Sequence, residues 1–150
     1  MNWRQTTTRS AGRRTKLPER ELPTNHSFKD ATKTVSKSLH DNIEAIEAGY
    51  EFLLAYAAQG RETDAGPGGS EVRDTLTAMS EAAAAIGTAL TGDSDPFSSV
   101  VVDDARKSGA AIALVLAQAA ISSELVDNLN ASIHLRALLT DLFLLSETLS

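Results

Sequence analysis

The sequence predicts an all-α protein, an antiparallel bundle of about four helices preceded by an extended basic N-terminal arm. Of the 150 residues, 42% are hydrophobic but only 5% are aromatic. Alanine is abundant, which favours helices packed through small and aliphatic side chains over a β sandwich. Apolar residues also recur at steps of three and four in several segments, which is the period of an amphipathic helix. The predicted arm covers 1–27 and the bundle domain 28–150, with helices at 28–59, 71–91, 96–121 and 124–149.

The first predicted helix, 28–59, is the longest. Ser27 is predicted to cap its start, and Gly60 to end it in the left-handed conformation. Its apolar residues repeat at steps of four and three, so they lie on one stripe of the helix surface. These residues are Val35, Leu39, Ile43, Ile46, Tyr50, Leu53 and Ala57. A stripe of this length requires partner helices along the whole helix.

The second predicted helix carries the most regular heptad pattern of the chain. Ser70 is predicted to cap it, after the loop-forming run Gly66-Pro67-Gly68-Gly69, and Gly92 to end it. Its apolar positions follow steps of four and three without interruption, which predicts packing against neighbouring helices along one seam. The seam consists of Val72, Leu76, Met79, Ala83, Ile86 and Leu90.

The third predicted helix begins at Asp95-Pro96, where an aspartate cap is followed by proline at the first helical position. The run of three valines at 100–102 favours a strand locally, but the cap favours a helix, and we predict a helix. Residues 109–121 are almost wholly small or aliphatic, which predicts a segment that is buried on all sides. The third and fourth predicted helices could be one continuous helix.

The last predicted helix, 124–149, is apolar on more than one face. A bundle that stands alone does not require this, so the excess predicts a surface that binds another subunit. The predicted partner-binding residues are Leu138, Leu142, Phe143 and Leu145. The alternative interpretation is that these residues close one end of the monomer's own core.

The N-terminal arm differs in charge from the rest of the chain. Residues 1–27 contain six bases and two acids, a net charge of +4. The whole chain carries −6, so the remainder carries −10. Such an arm can bind an acidic surface of a second copy or of a larger protein. Its predicted partner-binding residues are Trp3, Arg4, Arg13 and Arg14. Two alternatives are a free tail with an exposed Trp3 and an organellar targeting segment.

Motifs for specific chemistry are missing from the sequence. There is no cysteine, which excludes disulfides and thiolate chemistry. No phosphate-binding loop, nucleophile elbow or His-Glu-x-x-His motif is found. Histidines and carboxylates on facing helices could form a di-iron-like metal site, for which the candidates are His40, Glu44, Glu47 and His134. Against this site, the Glu-x-x-His pairs typical of di-iron bundles do not occur.

Together these observations predict a non-enzymatic assembly or accessory protein without a cofactor. It would be a cytoplasmic helical-bundle subunit that oligomerises, or docks on a larger protein complex, through apolar helix faces and its basic arm. Nucleic acid is not the expected partner, because the body is acidic and aromatic residues are not interleaved with the bases. No segment has the roughly 20 consecutive apolar residues needed to cross a membrane. The alternative function is that of a metal-binding oxidoreductase or storage bundle.

Overall fold

A computed structural model of the chain describes residues 25–149, and it describes side chains from residue 38 onward. The described residues form an all-α fold without a β-strand. Within residues 25–149, five helices succeed one another, joined by turns and loops. They are α1 (Asn25–Ala57), α2 (Glu71–Leu90), α3 (Pro96–Leu116), α4 (Ser123–Ala131) and α5 (Ile133–Thr148).

The helices pack as a bundle of about four helices around one apolar core. α2 lies between α1 and α3, while α4 packs mainly on α1 and α5 mainly on α3. The two short helices together therefore occupy the position of a fourth helix. The start of α2 lies beside the end of α3, because Arg73 donates hydrogen bonds to carbonyl oxygens of Leu116, Gln118 and Ala119.

The predicted apolar stripes of the first two helices form the centre of the core. All six residues of the α2 seam are buried, as are Leu39, Ile43, Ile46 and Leu53 of the α1 stripe. Two predicted stop signals are also confirmed, since Gly60 and Gly92 both adopt the left-handed conformation, at φ 64° and 82°. The α3 cap is confirmed as well: Asp95 Oδ1 accepts a 2.8 Å hydrogen bond from the backbone N–H of Phe97.

Several predicted helix ends are wrong. Ser27 lies inside α1, which includes Asn25 and His26, so it does not cap the helix and residues 25–27 are not extended. Ser70 precedes α2 in a helical conformation and makes no side-chain cap hydrogen bond. α3 ends at Leu116 rather than at residue 121, and Leu114 is 68% exposed. Its last turns are therefore amphipathic rather than buried on all sides.

The fourth predicted helix is two helices. Ser132 separates α4 from α5 with φ −57° and ψ 127°, an angle that no helical residue adopts. The chain therefore changes direction there, and α5 begins a new helical phase. Residues 117–122 separate α3 from α4, so the third and fourth predicted helices are not continuous. In the part of the chain that the structure describes, no helix is long and apolar enough to span a bilayer.

Candidate functional site

The inner face of α5 belongs to the core of the monomer. Leu138 and Leu142, both predicted to bind a partner, are 0% exposed and pack with the other core residues. Both side chains are enclosed by their own bundle, and their predicted contact with a partner stays a prediction. Leu145 is half-buried against the same core. Phe143 is 55% exposed and remains at the surface.

The outer face of α5 carries a second apolar pattern. Ile133 is 74% exposed and Leu144 is 56% exposed, although both are large aliphatic residues. With Ala137 and Thr140 they follow steps of four, three and four, which places all four on one side of the helix. We call these four residues the outer seam. A groove of about 590 Å³ lies beside the first three residues of this seam, and it is lined by Ala131, Ile133, Arg136, Ala137, Thr140 and Asp141.

One continuous helix over 124–149, as predicted from the sequence, does not produce the outer seam. In that helix Ile133 would share a face with Leu129, which is buried on α4. The break at Ser132 resets the helical phase, and Ile133 turns outward instead. The 4-3-4 spacing from Ile133 to Leu144 was visible in the sequence and could have identified this face.

A second groove lies where α1 ends and α4 begins. Its volume is about 760 Å³. The apolar part of its wall comes from the end of α1, where Leu54 is 47% exposed. Three exposed carboxylates also line it, those of Glu62, Glu124 and Asp127. We call this feature the acidic groove.

A hydrogen-bonded framework holds the two sides of the acidic groove together. The hydroxyl of Tyr56 donates to the backbone oxygen of Ile121 at 2.7 Å. The hydroxyl of Ser123 donates to the backbone oxygen of Tyr56 at 2.7 Å and accepts from the backbone N–H of Arg61 at 2.9 Å. The backbone N–H of Ser123 donates in turn to the carbonyl of Arg61 at 2.8 Å. These bonds are largely buried, so they fix the end of α1 against the start of α4.

Arg61, the base among the described residues that line the acidic groove, already donates hydrogen bonds to its own loop. The guanidinium of Arg61 donates to backbone oxygens of Thr63, Ala65 and Pro67, at 3.1–3.3 Å. It also lies 5.9 Å from the centre of the Tyr56 ring. Within residues 38–149, none of the three groove carboxylates forms an ion pair with another side chain. The groove therefore presents uncompensated negative charge.

A partly buried ion pair between Asp64 and Arg73 links the loop before α2 to the segment after α3. Arg73 Nε lies 2.6 Å from Asp64 Oδ2, and Asp64 Oδ1 accepts from the backbone N–H of Ile121 at 2.9 Å. The hydrogen bond from Arg73, followed by that from Ile121, lowers the pKa of Asp64 to about 2. These contacts fix the segment after α3 against the start of α2.

A carboxyl pair lies between α3 and α5. The pair consists of Asp141 on α5 and Asp104 on α3. Asp141 is only 8% exposed, and its Oδ2 has no hydrogen-bond partner among the described residues. Burial, and then the neighbouring Asp104, raise the pKa of Asp141 to about 7. Below that pH a protonated carboxyl can donate to its neighbour, which gives the buried oxygen a partner.

The candidate metal ligands do not come together. His40 Nε2 lies 3.3 Å from Glu44 Oε1, but both side chains are largely exposed to solvent. Glu47 is half-buried on the same helix, while His134 is exposed on α5. Among the described side chains, no group of three histidines or carboxylates has a geometry that could hold a metal ion. Trp3, Arg4, Arg13 and Arg14 lie outside the described residues.

Comparison with known proteins finds no match among protein-family models, curated protein sequences or solved structures.

Proposed function

We propose that this protein is a non-enzymatic assembly subunit that pairs with a second copy of itself through the outer seam of α5. The observation that carries the proposal is the double seam of this helix. One row of leucines is enclosed in the monomer's core, while Ile133 and Leu144 repeat on the opposite side and are exposed. A soluble helix exposes such a row at a cost that pairing would offset.

The residue order of the outer seam suits a two-fold axis. In an antiparallel pair centred between Ala137 and Thr140, Ile133 of one copy would meet Leu144 of the other at both ends. The small residues Ala137 and Thr140 would face each other at the centre, where they allow the helices to approach closely. Each copy thus offers the same surface to the other, which is the condition for a closed symmetric dimer. The groove beside the seam gives room for the partner's aliphatic side chains.

Placing a charge on the outer seam tests this proposal. We expect Leu144→Lys to raise the dimer dissociation constant at least about 100-fold, because a lysine would have to be desolvated at the interface. Helical content should not change, since Leu144 faces away from the core. Sedimentation equilibrium at several concentrations measures the effect.

The matched control is Leu114→Lys. It places the same charge on another exposed leucine, on α3 rather than α5. This variant should keep the association of the parent protein. If Leu144→Lys also associates like the parent, the outer seam is not the interface.

A further inference from the structure

The acidic groove has the properties of a site for a basic peptide. Three carboxylates that form no ion pair within residues 38–149 line it, and the exposed side chain of Leu54 offers an apolar contact beside them. The one base in the wall, Arg61, is turned into its own loop by three hydrogen bonds to backbone oxygens. A ligand with several positive charges and one large apolar side chain would satisfy both features.

The chain itself contains a segment of this chemistry. Residues 1–20 carry six of the chain's 14 bases, and Trp3 is the only tryptophan. Their sole acid is Glu19. The groove and this segment are thus complementary in charge, and Trp3 beside Arg4 provides the apolar group that Leu54 could contact.

The length of α1 limits which copy can supply the segment. α1 contains 33 residues and so measures about 48 Å from Asn25 to the groove end. Arg13 is 12 residues before Asn25, so a fully extended chain carries it at most about 43 Å from the start of α1. Arg13 therefore comes within about one side-chain length of the groove of its own chain, and Trp3 and Arg4 can reach it, whereas Lys16 and Arg20 lie too close to α1 to reach it. A second copy whose α1 starts nearer to this groove could supply all of these bases.

The small size of the proposed α5 contact also favours a segment exchanged between two copies. The outer seam provides four residues, whereas a stable protein–protein interface has roughly 20–30 residues on each side. A symmetric dimer therefore needs further contact area, and an exchanged segment adds it twice.

From these observations we infer that the acidic groove binds the basic N-terminal segment, residues 1–20, of a second copy of the chain. The inference rests on the proposed self-association and adds a second contact to it. The bases of the segment lie against Glu62, Glu124 and Asp127, and Trp3 packs on Leu54. The contact weakens as ionic strength rises, because the groove is open to solvent.

A complementation experiment on full-length chains tests the exchange, with the fluorescence of Trp3 as the probe. One chain carries Glu124→Gln and Asp127→Asn, so its groove is neutralised while its tryptophan is retained. The other carries Trp3→Phe, so it is silent but has an intact groove. We expect solvent-like emission from the first chain alone and a shift to shorter wavelength when the second is added in excess. Native mass spectrometry of the same samples reports whether mixed dimers form.

The matched control is Glu71→Gln with Asp74→Asn. These two acids are exposed, have the same spacing and lie in the first turn of α2, outside the groove. The control should show the emission of the parent protein. Neutralising the groove should also weaken the dimer about tenfold.

Three results would overturn the inference, and they differ in whether the proposed α5 contact is also rejected. Solvent-like emission from the dimeric parent protein would exclude a bound Trp3 while leaving the α5 contact intact. Mixed dimers without a shift would show that the segment binds within its own chain. A parent protein that stays monomeric would reject the proposed self-association, and the exchange with it.

Discussion

At the scale of single residues, a buried carboxyl between α3 and α5 destabilises the fold when it is ionised. Asp141 is almost fully buried beside Asp104, and its pKa is raised from 3.8 to about 7, first by burial. In the unfolded chain the same group ionises near pH 4. Raising the pH from about 4 to 7 therefore favours the unfolded state, because there the carboxyl can release its proton freely.

Replacing Asp141 with asparagine should remove this dependence. We expect Asp141→Asn to raise the free energy of unfolding at pH 8 by roughly 2–4 kcal/mol, since each unit of pKa shift corresponds to about 1.4 kcal/mol. Near pH 4 the two proteins should be about equally stable. Chemical unfolding at a series of pH values measures the difference.

Asp103, one residue from Asp104, provides the control. Hydrogen bonds from Lys107 and then Arg106 lower its pKa, so its ionised form is favoured in the fold. Asp103→Asn should therefore not stabilise the protein at pH 8. If Asp141→Asn gives no gain at pH 8 either, the fold does not raise the pKa of Asp141.

At the scale of secondary-structure elements, the ends of helices are fixed by contacts distant in sequence. Arg73 joins three carbonyl oxygens at the end of α3 to Asp64 in the loop before α2. Arg73→Met should lower the free energy of unfolding by about 2 kcal/mol, because charged hydrogen bonds to partly buried acceptors are lost. Thermal unfolding measures the change.

An arginine on α3 gives the comparison for this variant. Arg106 is exposed and pairs with Asp103 within its own helix at 2.9 Å. Arg106→Met should therefore cost less than about 0.5 kcal/mol. Equal losses of unfolding free energy for the two substitutions would show that Arg73 contributes no more to stability than an exposed arginine does.

Local signals predicted most of the helices, whereas contacts between distant segments escaped prediction. Asp95, Gly60 and Gly92 act through their own backbone neighbourhood, so their roles are visible in the sequence. The pairing of Asp64 with Arg73 depends on contacts with the end of α3, and no periodic pattern in the sequence predicts it. The break at Ser132 has no glycine or proline to mark it, and the single helix predicted over 124–149 does not separate Ile133 from the face of Leu129.

At the scale of the whole molecule, the proposed association depends on two properties. The net charge of −6 combines a segment of +4 with a remainder of −10, so opposite charges would be available for contact between copies. The outer seam has no charged residue in its row and would add an apolar contact. Charge attraction would bring two copies together, and apolar burial would then hold them. Raising the ionic strength should weaken the first contribution and leave the second.

The central claim is that the protein assembles with itself through surfaces described here, and the mass of the full-length protein tests it most directly. Native mass spectrometry over a range of protein concentrations should show a discrete dimer at twice the mass of the bare chain. A monomer at every concentration would contradict the account. A monomer with added mass equal to a bound metal ion would instead favour the metal-binding alternative, and would direct attention to His40 and His134.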